Sequence, residues 1–206
     1  MTAINQVLFD IGGVLGSNGW DGEQRRAAIE RFGLDAEDFQ YRHEETVGAF
    51  ESGDISLGEY LDLTVFWTTR AFTRDEFKRF MFELSTPWPD SIDVARGLRG
   101  GSRVRMATLN NESRELNEYR VRLFGLCDLF DAFFSSCWLG VRKPTRKIYE
   151  RVLGMTQAEP ERTLFVDDRE QNLAPARALG MQTIHFTSAR QLESELRGLG
   201  FTSSPL

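Results

Sequence analysis

Four short stretches of this chain place carboxylates, amides and one lysine directly after apolar runs. Asp10-Ile11-Gly12-Gly13 follows residues 4–9, and Asn110-Asn111 follows 104–109. Ser135-Ser136 and then Gly140-Val141-Arg142-Lys143-Pro144 follow the run that starts at Ala132. Asp167-Asp168 follow 163–166, with Asn172 four residues beyond Asp168. Adjacent acids speak for a cation, and a lysine among amides supplies the local positive charge that a small anionic substrate needs. An aspartate after a strand is by itself most often a turn former. Several such ends carrying acids, amides and a lysine together are not readily produced by chance.

The elements that must position these residues are readable from pattern. A short, partly β-branched apolar run that stops at an acid and two glycines predicts a buried parallel strand over 4–9. Strand–helix alternation resumes at Asp90, with strands expected at 104–109, 132–135, 163–166 and 182–186. Helices are expected over 111–124, with Leu116, Tyr119 and Leu123 on one face, and over 171–179. Pro144 is expected to open another at its first position, and a last helix should follow Ser188. Alternation of this kind defines an α/β class: a mostly parallel, doubly wound sheet with helices on both faces. In such sheets, ligands bind beyond the carboxyl ends of the strands, at the switch point of strand order.

Between the first strand and this alternation the period becomes helical. Ser56-Leu57-Gly58-Glu59 and Thr73-Arg74-Asp75-Glu76 read as capping boxes, and Gly33 and Gly53 stand where helices should end. Four helices are predicted, followed by a Thr86-Pro87-Trp88-Pro89 linker. A helical block cannot lie inside the sheet, so residues 17–87 are expected to form a cap over one end of a core made from 1–16 and 88–206.

Composition narrows the classes. The chain has 206 residues, 41% hydrophobic and 27% charged, which is ample for a globular core. Acidic residues outnumber basic ones, 31 to 25, for a net charge of −6. That balance argues against a general nucleic-acid binder. Cys127 and Cys137 make neither a disulfide framework nor a zinc site, and they suit a reducing cytosol. The N-terminus lacks the pattern of a signal peptide, and no apolar run reaches membrane-spanning length. A soluble, cytoplasmic protein is expected, with no membrane partner; oligomeric state has no signature in the sequence.

Taken in order, these stretches resemble the motifs of the haloacid dehalogenase (HAD) superfamily. Leu8-Phe9-Asp10-Ile11-Gly12-Gly13-Val14-Leu15 is similar to the family's D-x-D-x-T/V-L motif, and Ala107-Thr108-Leu109-Asn110-Asn111 to its second. Arg142-Lys143-Pro144 is similar to the third, and Phe165-Val166-Asp167-Asp168 with Asn172 to the fourth. The resemblance spans the whole chain and implies a Rossmann-like core with an inserted helical cap. For the phosphatase branch it implies Asp10 as a nucleophile that forms an aspartyl-phosphate. Mg2+ would be held by Asp10, the Gly12 carbonyl and Asp168. Lys143 would neutralise the nucleophile and the phosphate, and Asn110 and Asn111 would bind phosphate oxygens beside Lys143. The implied activity is magnesium-dependent hydrolysis of a small phosphorylated metabolite.

The chain departs from the family at Gly12, where relatives carry the aspartate that acts as general acid. A positioned acid typically contributes about 10²–10⁴-fold. His43, in the cap, is a candidate replacement. Asn110 stands where the family has Ser or Thr; Thr108, two residues earlier on the same strand face, lies deeper. Asp167 is a candidate for a structural role. Trp20, Trp67 and Trp88 are expected chiefly to pack cap against core. Two further readings are a 2-haloacid dehalogenase, which uses the same aspartate without metal, and a catalytically weak binding protein.

Overall fold

The computed structural model describes residues 3–201. In chain order the elements are β1 (Gln6–Phe9), α1 (Gly22–Phe32), α2 (Ala36–Ser52), α3 (Leu57–Thr64), α4 (Arg74–Glu83), α5 (Pro89–Gly101), β2 (Arg105–Asn110) and α6 (Arg114–Leu123). There follow β3 (Ala132–Ser135), α7 (Ser136–Leu139), α8 (Arg146–Thr156), β4 (Thr163–Asp167), α9 (Glu170–Ala178), β5 (Gln182–His185) and α10 (Ala189–Gly198). The strands form one sheet in the order β3-β2-β1-β4-β5, every pair parallel. This is the expected α/β core.

β1 is the centre. It is buried along its whole length because both faces are covered, and after Gln6 it reads as the apolar run Val7-Leu8-Phe9. Side chains alternate across it. Val7 and Phe9 join a cluster with Ile92, Leu98 and Leu192, while Leu8 joins one with Ile148, Val152 and Leu173. Burying one such side chain contributes about 1.5–3 kcal/mol. The chain leaves β1 toward β2 and β3, then crosses to β4 and β5, so the loops after β1 and β4 diverge and open a crevice between them.

The helices α1 to α4 lie between β1 and α5 and have a hydrophobic cluster of their own, built around Phe39, Tyr60 and Phe77. Both capping boxes close as expected, at Ser56/Glu59 and Thr73/Glu76. Gly33 and Gly53 both end their helices in the left-handed conformation. The segments leading in and out of this helical block are tied together. Ser17 N donates to the Thr86 carbonyl at 2.8 Å, and Thr86 N donates to Ser17 Oγ at 3.0 Å. Gly16 pairs with Pro87, and a Cβ on Gly16 would lie 2.5 Å from the Phe124 ring and 2.7 Å from the Thr86 carbonyl.

Several local expectations are corrected. Pro144 does not open α8: it follows a cis peptide with Lys143, and the helix begins at Arg146 behind Thr145. Leu123 is 46% exposed, because α6 turns Leu116, Asn117, Arg120 and Val121 inward instead. Pro89 belongs to α5, so the linker stops at Trp88. Of the tryptophans, only Trp20 is buried, inside the helical block's own cluster.

Candidate active site

Asp10 ends β1 at the crevice, nearly buried. Its Oδ1 accepts a hydrogen bond from its neighbour's Ile11 N at 2.8 Å, and its Oδ2 lies 2.9 Å from Lys143 Nζ. Lys143, fully enclosed, also donates to Asp167 Oδ2 at 2.7 Å and to the Leu109 carbonyl at 2.9 Å. These three acceptors match the three donors of an ammonium. Asp167 is held in turn by Asn172 Nδ2 at 2.9 and 3.1 Å and by Arg169 N at 2.8 Å. Asn172 thus serves Asp167 through its side chain, although its spacing suggested Asp168. Its carbonyl accepts from the Tyr149 hydroxyl at 2.6 Å.

Asn111 is turned to the Lys143 backbone. Its Oδ1 accepts from Lys143 N at 2.8 Å and its Nδ2 donates to the Lys143 carbonyl at 2.9 Å. Both amide atoms are engaged there, clamping the loop that carries the lysine. Asn110, at the end of β2, donates from Nδ2 to Asn117 Oδ1 at 3.0 Å, while its own Oδ1 is buried without a partner among the described residues. Rotating both amides by half a turn preserves this bond and directs the Asn110 donor outward instead. Thr108 is fully buried behind it.

Asp168 closes the site. Carboxylate oxygens of Asp10, Asp167 and Asp168 lie within 4.8 Å of one another. Asp168 Oδ1 is buried and unpartnered among the described residues. Gly13 has φ +75, and a Cβ there would fall 2.3 Å from Asp168 Oδ2, so no other residue leaves room for this carboxylate. Burial, followed by the charges of Asp167 and Asp168, pushes the Asp10 carboxyl up to about 8 against the pull of Lys143. Burial works against the charged form of Lys143, but Asp10 and Asp167 outweigh it and hold the ammonium above its ordinary range. Burial and Asp167 likewise raise Asp168. Three acids around one ammonium leave surplus negative charge.

Asp10 and Lys143 face a cavity of about 190 Å³ with a polar lining, while Asp167 and Asp168 are not among the residues that line it. The structure brings Asp10, Gly12, Asn110, Asn111 and Lys143 together on its wall. His43 is elsewhere: it is buried in the helical block with Nδ1 2.8 Å from the Tyr60 hydroxyl. Burial, followed by Arg25 and Arg142, lowers its pKa to about 4.

The cavity has walls that sequence reading missed. Glu112 Oε2 pairs with Arg120 Nη1 at 2.8 Å, both buried, and Arg120 Nη2 also donates to the Ser17 carbonyl. The available signal was Arg120 itself, four residues after Leu116 on the inward stripe of α6. Across the opening, Glu51 of α2 pairs with Arg142 at 2.8 Å. Ser136 Oγ donates to the Glu51 carbonyl at 2.6 Å and accepts from Glu112 N at 3.0 Å, which joins α2, α7 and the start of α6.

A parallel α/β sheet with a buried acid–lysine pair at its switch point, roofed by an inserted helical block, defines a class of hydrolases. The family model for haloacid dehalogenase-like hydrolases matches residues 4–180, and the chain belongs to that family. It is 42% identical over 72 residues to a sesquiterpene phosphatase of Aspergillus oryzae, a match covering 35% of this chain and 37% of that protein. A D-ribitol-5-phosphate phosphatase of Bacteroides thetaiotaomicron is 25% identical over 214 residues, 94% of this chain and 97% of that one. The fold is shared with a HAD family enzyme of Bacteroides thetaiotaomicron solved in complex with magnesium and inorganic phosphate. That structure has a TM-score of 0.74 at 21% identity, over 90% of this chain and 95% of that one. Among the described residues no helix is long and apolar enough to cross a membrane.

Proposed function

We propose that this hydrolase is a magnesium-dependent phosphatase for a small phosphorylated metabolite, with Asp10 as the nucleophile. The observation that carries this reading is the buried, unpartnered Asp168 Oδ1 beside Asp10. An orphan carboxylate oxygen next to a second carboxylate is costly unless a hard cation takes it. The donor set fits magnesium, which prefers one or two carboxylates plus water and phosphate oxygens. Asp10, Asp168 and the Gly12 carbonyl would hold the ion, which supplies charge neutralisation for the phosphoryl group.

The chain's own residues do the rest. Lys143 keeps Asp10 oriented and offsets the charge brought by the phosphate. Asp167 and Asn111 hold Lys143, by its ammonium and its backbone respectively. Asn110, with its amide turned outward, donates to a phosphate oxygen. A water then attacks the aspartyl-phosphate and releases inorganic phosphate. The similarity to D-ribitol-5-phosphate phosphatase over nearly both full lengths supports a small substrate, and so does a cavity of about 190 Å³, below the usual ~300–1,000 Å³ of ligand pockets. The fold family also contains dehalogenases, but a buried carboxylate oxygen without a partner among the described residues, close to a second carboxylate, favours the cation-dependent reading.

The test is release of inorganic phosphate from a panel of small phosphorylated sugars, alditols and acids, with magnesium and with excess chelator. Release that requires magnesium and disappears in Asp10→Asn supports the reading. Halide release from 2-chloropropionate without magnesium, and no phosphate release, would replace it with the dehalogenase.

A further inference from the structure

Gly12 stands where the resembling motif has its second acid, and the structure fills the space beside it from elsewhere. A Cβ built on Gly12 would lie 3.3 Å from Asn18 Oδ1, 3.4 Å from Asn18 Cα and 3.7 Å from Gly19 N. The Asn18-Gly19 turn therefore occupies the space that a side chain at position 12 would enter. Asn18 lines the same cavity as Asp10 and Lys143.

The turn is locked in place by its surroundings. Gln24 Nε2 donates to the Asn18 carbonyl at 2.7 Å, and Gln24 Oε1 accepts from Trp20 N at 2.8 Å. Trp20 has φ 47, an unusual conformation for a bulky residue, and its indole is anchored on the Tyr60 hydroxyl at 2.8 Å. Gly19 has no alternative, since a Cβ there would fall 1.8 Å from Glu112 Oε2 and 2.2 Å from Arg120 Nη1. The cap holds the backbone of Asn18 while its side chain is presented to the cavity.

We propose that Asn18 is a catalytic residue that hydrogen-bonds the leaving-group oxygen in place of the missing acid. This rests on the phosphatase reading above. An amide donates through Nδ2–H but gives up no proton near neutral pH, and half a turn about its last bond exchanges Nδ2 for Oδ1 at the gap. In the first step a carboxylate oxygen of Asp10 forms a bond to phosphorus, and the bond from phosphorus to the ester oxygen breaks. That oxygen keeps the electron pair and departs as an anion held by Asn18 Nδ2–H, taking its proton afterwards from water. Stabilisation without proton transfer favours a class of substrate whose leaving group is a stabilised anion, such as an acyl or enol phosphate, over simple alkyl esters.

The experiment measures kcat and KM with magnesium for a series of small substrates: ethyl, chloroethyl, trifluoroethyl, phenyl and acetyl phosphates. The wild-type rate should fall steeply as the leaving group worsens. Asn18→Ala should lose about 100-fold or more in kcat on ethyl phosphate and less than about twofold on acetyl phosphate, with KM little changed. Asn18→Asp, of the same shape, should restore alkyl-ester hydrolysis below neutral pH and lose it as pH rises and the new carboxyl ionises. A uniform loss across the series, or none, in a folded variant overturns the assignment and leaves Asn18 as a turn former. Asn18→Asp keeps the test decisive if the alanine variant fails to fold: an unchanged leaving-group slope in that variant also overturns it. If the wild type hydrolyses none of these esters with magnesium, the phosphatase reading itself falls. An active wild type with unaltered slopes removes only Asn18.

Discussion

Lys143 is a buried ammonium that ties two carboxylates together. Its ammonium stands between Asp10 and Asp167, all three nearly or fully buried. Removing one partner of a buried ionic group typically costs about 3–5 kcal/mol, because the remaining charge is left uncompensated. We therefore expect Lys143→Met to lose turnover and also to lower stability by about that amount, measured by urea denaturation. Adding Asp167→Asn should recover a large part of the stability and none of the turnover, since Asp10 still lacks its counter-charge. Full activity in the double variant would show that Lys143 acts only through Asp167. At this scale much was legible in the sequence. Asp10, Asn110 and Asp168 stand at strand ends and Lys143 in the loop after α7, at the end of the sheet where this fold gathers its side chains. Asn111 and Asn172 were legible as members of the cluster, but not their partners. An amide's partner is decided by a loop conformation that spacing does not encode.

At the scale of elements, the capping signals held, while the helix start at Pro144 and the choice of inward face on α6 did not. Ser56, Thr73, Gly33 and Gly53 mark helix ends because capping is settled within a few residues of chain. Leu123 misled because the inward face of α6 is chosen by what lies beneath it, including the buried Arg120. His43 was the clearest misreading at this scale, since position in the cap said nothing about which way α2 faces. Its ring belongs to the Trp20–Tyr60–His43 chain of hydrogen bonds. This arrangement has a pH consequence. The folded protein protonates His43 at about 4, against 6.5 for an unperturbed histidine. Between these values the unfolded chain binds the proton and the folded one does not, so stability falls as pH drops through the window, by up to about 3 kcal/mol. His43→Asn retains a group beside the Tyr60 hydroxyl without the titration. Its unfolding midpoint should depend less on pH between 6.5 and 4 than the wild type's. Equal slopes for the two proteins would assign the acid sensitivity to carboxylates alone.

At the scale of the whole molecule, the junction between helical block and sheet is fastened by charge. Arg120 reaches from α6 to Glu112 and to the Ser17 carbonyl, and Glu51 reaches from α2 to Arg142. The two pairs differ in worth. Glu51–Arg142 is partly exposed and contributes at most about 1 kcal/mol. Glu112–Arg120 is buried, so Arg120→Met should destabilise by about 3–5 kcal/mol in urea denaturation. Glu112→Leu with Arg120→Met should recover most of that loss, because no lone charge remains. A double variant no better than the single one would mean that the Arg120 bond to Ser17 is the larger part.

The position of β1 also bears on the order in which the protein can be assembled. Its strand pairs on one side with β2 and on the other with β4, where Gln6 faces Thr163. The second pairing closes a loop containing most of the chain, and such distant pairings form late because ordering so long a segment comes before any return from contact. During synthesis, Val7, Leu8 and Phe9 emerge before β4 and wait for it with one strand edge open. A ribosome-bound chain stopped before Thr163 should therefore be recognised by chaperones that bind apolar strands, and release should follow the emergence of β4. Asp10 is made well before Asp167, which secures its lysine partner, and before Asp168, so the acid cluster is completed only when the β4 segment has been made.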